Sequence, residues 1–399
     1  MELENHIEKT KVEKETSAIR TQIDNSHQRE HSAPIYMTSS FTFEDAEQAR
    51  ALFADEAQGN IYSRFSNPNS SELIEKLCLL EGTEDGIATA SGMAAMFSSM
   101  AALLESGDHI IASRSVFGST HQILTQLFPK WNISHDYADM DKPETWEGLI
   151  RENTKMVFVE TPSNPALDLI DLEWLSGLCR KHDLILNVDN CFATPYLQNP
   201  SKFGADIVTH SATKFIDGQG RTIAGAVLGR KELIDKVRFF TRHTGPAISP
   251  FNAWILSKSL ETLAVRMDRH CSNALKLAEW LQVREGIVSV KYPFLESHPQ
   301  YELARRQMKA GGGVVSLIVE GGVERGRRFL DNLQLLSFTA NLGDTRTTAT
   351  HPASTTHSKL SDHERAQVGI LPGLVRISVG LENINDIIKD IDQALKASN

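Results

Sequence analysis

The chain has 399 residues, 41% hydrophobic and 23% charged, with 25 glycines and 14 prolines. This is ordinary globular usage and excludes a disordered, collagen-like or core-starved chain. Its 41 Lys plus Arg against 51 Asp plus Glu leave a formal charge of −10, an acidic balance that repels phosphate backbones and anionic lipid, so neither nucleic acid nor membrane is an expected partner.

Four cysteines (Cys78, Cys179, Cys191, Cys271) form no CxxC pair and no zinc spacing. No metal site is expected, and a reducing, cytoplasmic setting fits. The N-terminus alternates acids and bases without an apolar run, unlike a secretory signal. Residues 1–61 are polar and poorly periodic and lead into the turn-rich SRFSNPNSS at Ser63, which reads as an extended arm seeking a partner surface. From Asn69 onward, helical stretches alternate with the apolar runs IATA (Ile87), HIIAS (His109), MVFVE (Met156), LILNVD (Leu184) and DIVTH (Asp206). That alternation predicts βα units on a mostly parallel, buried sheet. The uncharged run from Gly86 to Leu104 is rich in Gly, Ser and Thr and reads as a strand entering a helix rather than a membrane span. After SPFNAW (Ser249) one long amphipathic stretch is predicted to about Leu281, bridging a large domain (62–260) and a small one (261–399). In the latter, VVSLIVE (Val314) and VRISVGL (Val375) read as strands.

No GK dipeptide, GxSxG elbow or HExxH is present, which excludes P-loop phosphoryl transfer and the common serine and zinc hydrolase signatures. DGQGRTIAG (Asp217) has a GxG but lacks the third glycine of a dinucleotide fingerprint. The informative constellation lies between Leu184 and Gly229. Asp189 ends one apolar strand, and Lys214 follows the next, just after Ser211 and Thr213. A carboxylate and a lysine on adjacent strand ends can meet the two ends of one flat cofactor, with hydroxyls between them for an anion. Pyridoxal phosphate needs those parts: a carboxylate to keep its pyridine nitrogen protonated, a lysine to form an imine, and donors for its phosphate. Taken singly, a strand-end Asp or Lys is most often a solvated charge; the conjunction is what points to chemistry. A phosphate also suits a helix N-terminus, and Ser91-Gly92-Met93 offers one between GIATA and AAMFSSMAALL.

At these residues the sequence resembles the Cys/Met-metabolism family of pyridoxal-phosphate enzymes. The likeness runs from HSAPIYMTSSFTF (His31) through YSRFSNP (Tyr62), ATASGMAA (Ala88), ETPSNP (Glu160), VDNCFATP (Val188) and HSATKFIDG (His210) to VRISVGLE (Val375). It implies an α/β chain of fold type I, aspartate aminotransferase-like, with a mostly parallel seven-stranded sheet in a large domain and a smaller C-terminal α/β domain. It implies that Lys214 carries the cofactor and shuttles protons, and that Asp189 pairs with the pyridine nitrogen. Gly92, Met93, Ser211 and Thr213 would hold the phosphate, joined by Tyr62 and Arg64 from a neighbouring subunit. A dimer with shared sites would then be the smallest active unit, and the family usually builds tetramers. Asn164 would lie near the phenolic oxygen and Arg376 would clamp the substrate α-carboxylate with its planar fork.

Within the family, SRSVFGST (Ser113), DGQGR (Asp217) and the segment from Asn341 look most like enzymes that act on O-succinylhomoserine with sulfide. The expected reaction is γ-replacement giving homocysteine and succinate in methionine biosynthesis, with cystathionine γ-synthase first among the alternatives, followed by a γ-lyase and a catalytically inactive pyridoxal-phosphate-binding homologue. Arg221 is a candidate for the distal succinyl carboxylate. Phe117 stands where synthases and lyases stack a tyrosine, Ser119 where methionine γ-lyases have a cysteine, Cys191 where threonine is usual, and Asn341 in place of a serine.

Overall fold

A computed structural model describes residues 12–355, 365 and 369–398; the first eleven residues of the arm lie outside them. In the described part the arm is not wholly extended, because Lys14–Arg20 and Ala46–Phe53 are helical. Asp45 caps the second helix by accepting from the Gln48 amide, a local signal that overrides the segment's weak periodicity. The first helix is docked by Lys14 Nζ, which donates to Pro195 O at 2.7 Å and to Asn199 Oδ1.

Seven strands form the large sheet: β1 (Asp85–Thr89), β2 (His109–Ser113), β3 (Ser134–Ala138), β4 (Thr154–Glu160), β5 (Ile185–Asp189), β6 (Ile207–Ser211) and β7 (Gly225–Gly229). Their spatial order is β1-β7-β6-β5-β4-β2-β3. β7 runs antiparallel to β1 and β6, and the other pairings are parallel. Every apolar run predicted as a strand is one. β3 is not legible in the sequence because SHDYA shows only a weak apolar pattern and is half exposed, an edge position. Apolar layers cover both faces, with Ile111, Val157, Val159 and Leu186 in one buried cluster and Ile110, Ala112, Met156 and Phe158 in another.

The predicted bridging stretch is two helices, Pro250–Leu260 and Leu263–Leu281. The break falls at Glu261 and Thr262, where Ser259 O accepts from the Thr262 amide and hydroxyl, both at 3.2 Å, and from Arg266 Nη2 at 2.9 Å, so the helix ends in a tight turn that side chains reinforce. Beyond it, β8 (Ile287–Lys291), β9 (Val314–Val319), β10 (Ser337–Phe338), β11 (Thr348–Thr350) and β12 (Leu374–Ser378) form a second sheet in the order β10-β11-β12-β9-β8. Its pairs are antiparallel except β10 with β11, and helices Gly322–Asp331 and Ile384–Ala397 pack on it. Phe215, fully buried next to Lys214, joins the two layers through an edge-on contact with His270, ring centroids 5.2 Å apart. No helix among the described residues is long and apolar enough to cross a membrane.

Candidate active site

The parallel strands end together, and their C-terminal residues supply the polar groups of one cleft. β4 ends in Glu160, β5 in Asp189 and β6 in Ser211. Glu160 and Asp189 are register partners, so their side chains leave the sheet on the same face. Both are buried, 4% and 6% exposed. Asp189 Oδ1 accepts from the Cys191 amide at 3.0 Å, and Glu160 Oε2 accepts from the Phe117 amide at 2.8 Å. Burial raises both carboxyls above the usual range. Asp189 pushes Glu160 further, against the Phe117 and Asn164 amides and Arg376, while the Cys191 amide and His210 restrain Asp189.

Across the β6 end sits the helix Gly92–Ala101. Ser91 Oγ caps it by accepting from the Ala94 amide at 3.1 Å. That leaves Gly92 and Met93, in its first turn, without intrahelical acceptors. A Cβ on Gly92 would stand 2.5 Å from both Cβ and Oγ of Ser211; only glycine lets this N-terminus close on that hydroxyl. Thr213 Oγ1 lies between the Ala224 amide and carbonyl, at 3.1 and 3.2 Å.

Lys214 lies in the turn after β6 and donates from Nζ to Asn341 Oδ1 at 2.7 Å. Burial lowers its pKa, Arg376 acts in the same direction, and Cys191 opposes. The Asn341 loop lies flat on it because Gly343 has φ +77°; a Cβ there would be 2.8 Å from the Lys214 carbonyl carbon. Arg376, in the middle of β12, crosses from the small sheet. Its Nη1 donates to Asn164 Oδ1 at 3.0 Å and its Nη2 to the carbonyls of Ala340 and Asn341 at 3.1 and 3.2 Å. Its Nε is buried without an acceptor, and burial pulls the guanidinium down to about 10, Glu160 opposing.

One chain thus brings together Gly92, Met93, Phe117, Asn164, Asp189, Ser211, Lys214, Asn341 and Arg376, with Thr213 beside them. Tyr62 and Arg64 are elsewhere: both contact Phe65, and Arg64 donates to Arg242 O. Arg221 is turned to Asp217, bonding its carboxylate through backbone N, Nε and Nη2 at 2.7, 3.1 and 2.9 Å, and to Ser259 Oγ. Its donors face those partners, not Lys214. Glu160 is not singled out by its own stretch of sequence, although MVFVE ends in an acid just as LILNVD does.

The sequence profile of the family described as Cys/Met metabolism PLP-dependent enzyme matches residues 15–396. An O-succinylhomoserine sulfhydrylase of Pseudomonas aeruginosa is 47% identical over 383 residues, 96% of this chain and 95% of that protein. An L-methionine gamma-lyase of Fusobacterium nucleatum is 43% identical over 366 residues, 91% of this chain and 93% of that one. A Campylobacter jejuni crystal structure described as an O-acetylhomoserine (thiol)-lyase, with pyridoxyl-lysine monophosphate in place of a lysine, superposes with a TM-score of 0.93. It is 35% identical and covers 96% of this chain and 100% of its own. A profile match that runs from the first helix of the arm to the last helix of the small layer takes in every residue of the cleft, so the chain belongs to the Cys/Met metabolism family of pyridoxal-phosphate enzymes.

Proposed function

We propose that this protein catalyses γ-replacement on O-succinylhomoserine, exchanging the succinyl ester oxygen for sulfur from sulfide, with homocysteine and succinate as products. The observation that carries the reading is the hydrogen-bonded run Lys214–Asn341–Arg376, which sets an amine and a carboxylate-binding fork side by side over the β5 and β6 ends.

The residues fit pyridoxal phosphate. The Gly92 cradle leaves room for nothing bulkier than a hydrogen against Ser211, and the orphaned Arg376 Nε is a buried donor lacking a partner. Gly92 and Met93 amides with the Ser211 and Thr213 hydroxyls would hold the phosphate, joined by Tyr62 and Arg64 of a second copy. Asp189 would face the pyridine nitrogen, Asn164 the phenolic oxygen and Phe117 the ring. When bound, the cofactor supplies an electron sink that acidifies the substrate's α-carbon proton. Arg376 Nε and one Nη fix the substrate α-carboxylate, orienting its Cα–H toward Lys214. Lys214 Nζ, whose pKa burial lowers, moves the Cα proton off the substrate, takes one from Cβ as the γ C–O bond breaks and succinate leaves, and returns protons to Cβ and Cα once sulfide has formed the C–S bond at Cγ. Asn341 Oδ1 holds that amine in line. Phe117 packs on the ring and offers no hydroxyl, which suits a nucleophile that arrives already ionised. We read the protein as a cytoplasmic homo-oligomer with shared sites, built from the arm 1–61 and domains 62–260 and 261–399.

The test is a product assay with O-succinyl-, O-acetyl- and O-phosphohomoserine, each offered sulfide or cysteine. Homocysteine and succinate from the succinyl ester and sulfide support the reading. Cystathionine formed equally fast from cysteine would make the protein a cystathionine γ-synthase. Ready cleavage of methionine would favour the γ-lyase activity named for relatives 43% identical.

A further inference from the structure

Glu160 has no part in the roles above, yet it is the register partner of Asp189 on β4 and an acid like it. The two are paired on adjacent parallel strands, about 4.8 Å apart in backbone spacing, and both are buried. Among the described residues, no cation forms an ion pair with Glu160. Arg376 lies close enough to act on it, but the guanidinium bonds Asn164, Ala340 and Asn341 instead. The other groups facing the pair are Cys191, which feels Glu160, Asp189 and Lys214, and His210, which acts on Asp189. Two carboxyls buried side by side do not both ionise. Meanwhile Glu160 Oε2 accepts from the Phe117 amide, which anchors the residue proposed to stack on the ring.

We propose that Glu160 is a positioning residue for the cofactor ring: it remains the protonated member of the Glu160–Asp189 pair, holds the Phe117 backbone beside the ring, and leaves Asp189 the single anion beneath it. The proton sits on the Glu160 oxygen that does not accept from Phe117. The inference rests on the placement of the ring over Asp189 proposed above, and adds a group on which that placement depends.

Glu160→Gln is neutral, has nearly the same shape and keeps an oxygen for the Phe117 amide; Glu160→Ala removes that acceptor. In the holoenzyme, cofactor release into a scavenging apoprotein and the pH titration of the visible band are measured for both variants. Glu160→Gln should match wild type in both. Glu160→Ala should release the cofactor roughly tenfold faster, as expected for a buried amide left unpaired. Wild type at neutral pH should also show the carbonyl stretch of a protonated carboxyl in the infrared, absent from Glu160→Gln. A Glu160→Gln titration moved by about one unit, which is the size of a lost neighbouring charge, would overturn the proposal. Unchanged release from Glu160→Ala, or no infrared difference, would do the same. Asp189→Asn tests the ring placement separately: an unaltered band and unaltered release in that variant remove the premise rather than the Glu160 assignment.

Discussion

Lys214 Nζ donates to Asn341 Oδ1 at 2.7 Å, while the backbone carbonyl of Asn341 accepts from Arg376 Nη2 at 3.2 Å. One residue therefore registers the amine and the guanidinium against each other, although they belong to different sheets. Asn341→Ala removes the lysine's acceptor and leaves the arginine's bond, which goes to backbone. The protein should stay yellow, with kcat/KM reduced roughly tenfold, the order expected when a hydrogen bond to a charged or reacting group is lost. Steady-state kinetics beside the visible spectrum check this.

Tyr62 and Arg64 make their contacts with Phe65 and Arg242, so a phosphate role for them requires a second subunit. Arg64→Ala should weaken cofactor retention and Lys214→Ala should abolish turnover. Mixed after subunit exchange, the two variants should exceed the sum of their separate activities, because one site of a mixed dimer holds both intact groups. Exchange without any rescue would remove the shared site.

Phe117 bears on the choice of nucleophile. Cysteine, with a thiol pKa near 8.5, needs deprotonation that sulfide largely does not. Initial rates at matched total sulfide and cysteine concentration near neutral pH should favour sulfide in wild type, and Phe117→Tyr should narrow the gap by raising the rate with cysteine. Equal rates in wild type would count against the sulfhydrylase reading.

Gly92→Ala places a methyl 2.5 Å from Ser211. Overpacking of this kind costs about 1–3 kcal/mol, and here it pushes apart the two groups proposed to grip the phosphate. Cofactor dissociation should accelerate and the melting temperature fall. Gly177→Ala is the control: its added Cβ meets nothing within 4 Å, and a helical Gly→Ala change there should be neutral or stabilising.

His270 is fully buried, contacts Val379 O through Nδ1 at 2.6 Å, and is pulled by burial from 6.5 to about 4, with the Val379 carbonyl opposing. A depressed folded-state pKa means that its stabilising contribution is complete above 6.5 and is lost as pH falls toward 4. The loss amounts to about 3 kcal/mol by linkage. His270→Asn keeps a donor for Val379 and does not titrate, so its unfolding midpoint should fall less steeply than wild type through that window. Parallel curves would show that other groups set the acid limit.

Chemistry carried by short stretches of chain is legible in the amino-acid sequence alone. Apolar runs long enough to be strands, ending in Asp189 and leading to Lys214, announce a parallel sheet whose strand ends do the work, since periodicity and end residues are local properties. The Ser91 cap and Gly92 are equally local. What depends on register is not readable in this way. Glu160 becomes notable only because β4 and β5 pair so that it stands beside Asp189, and a strand's partner is chosen by tertiary packing rather than by its own sequence. Arg221 looks available in DGQGR, but the fold buries Asp217 against it. Arg376 and Asn341 come from a second sheet and the loop beside it. Their meeting with Lys214 is decided by the packing of Phe215 on His270 and by the left-handed turn at Gly343 that lays one loop on another. Long-range contacts of this kind are settled by shape complementarity between buried surfaces, which no single segment encodes.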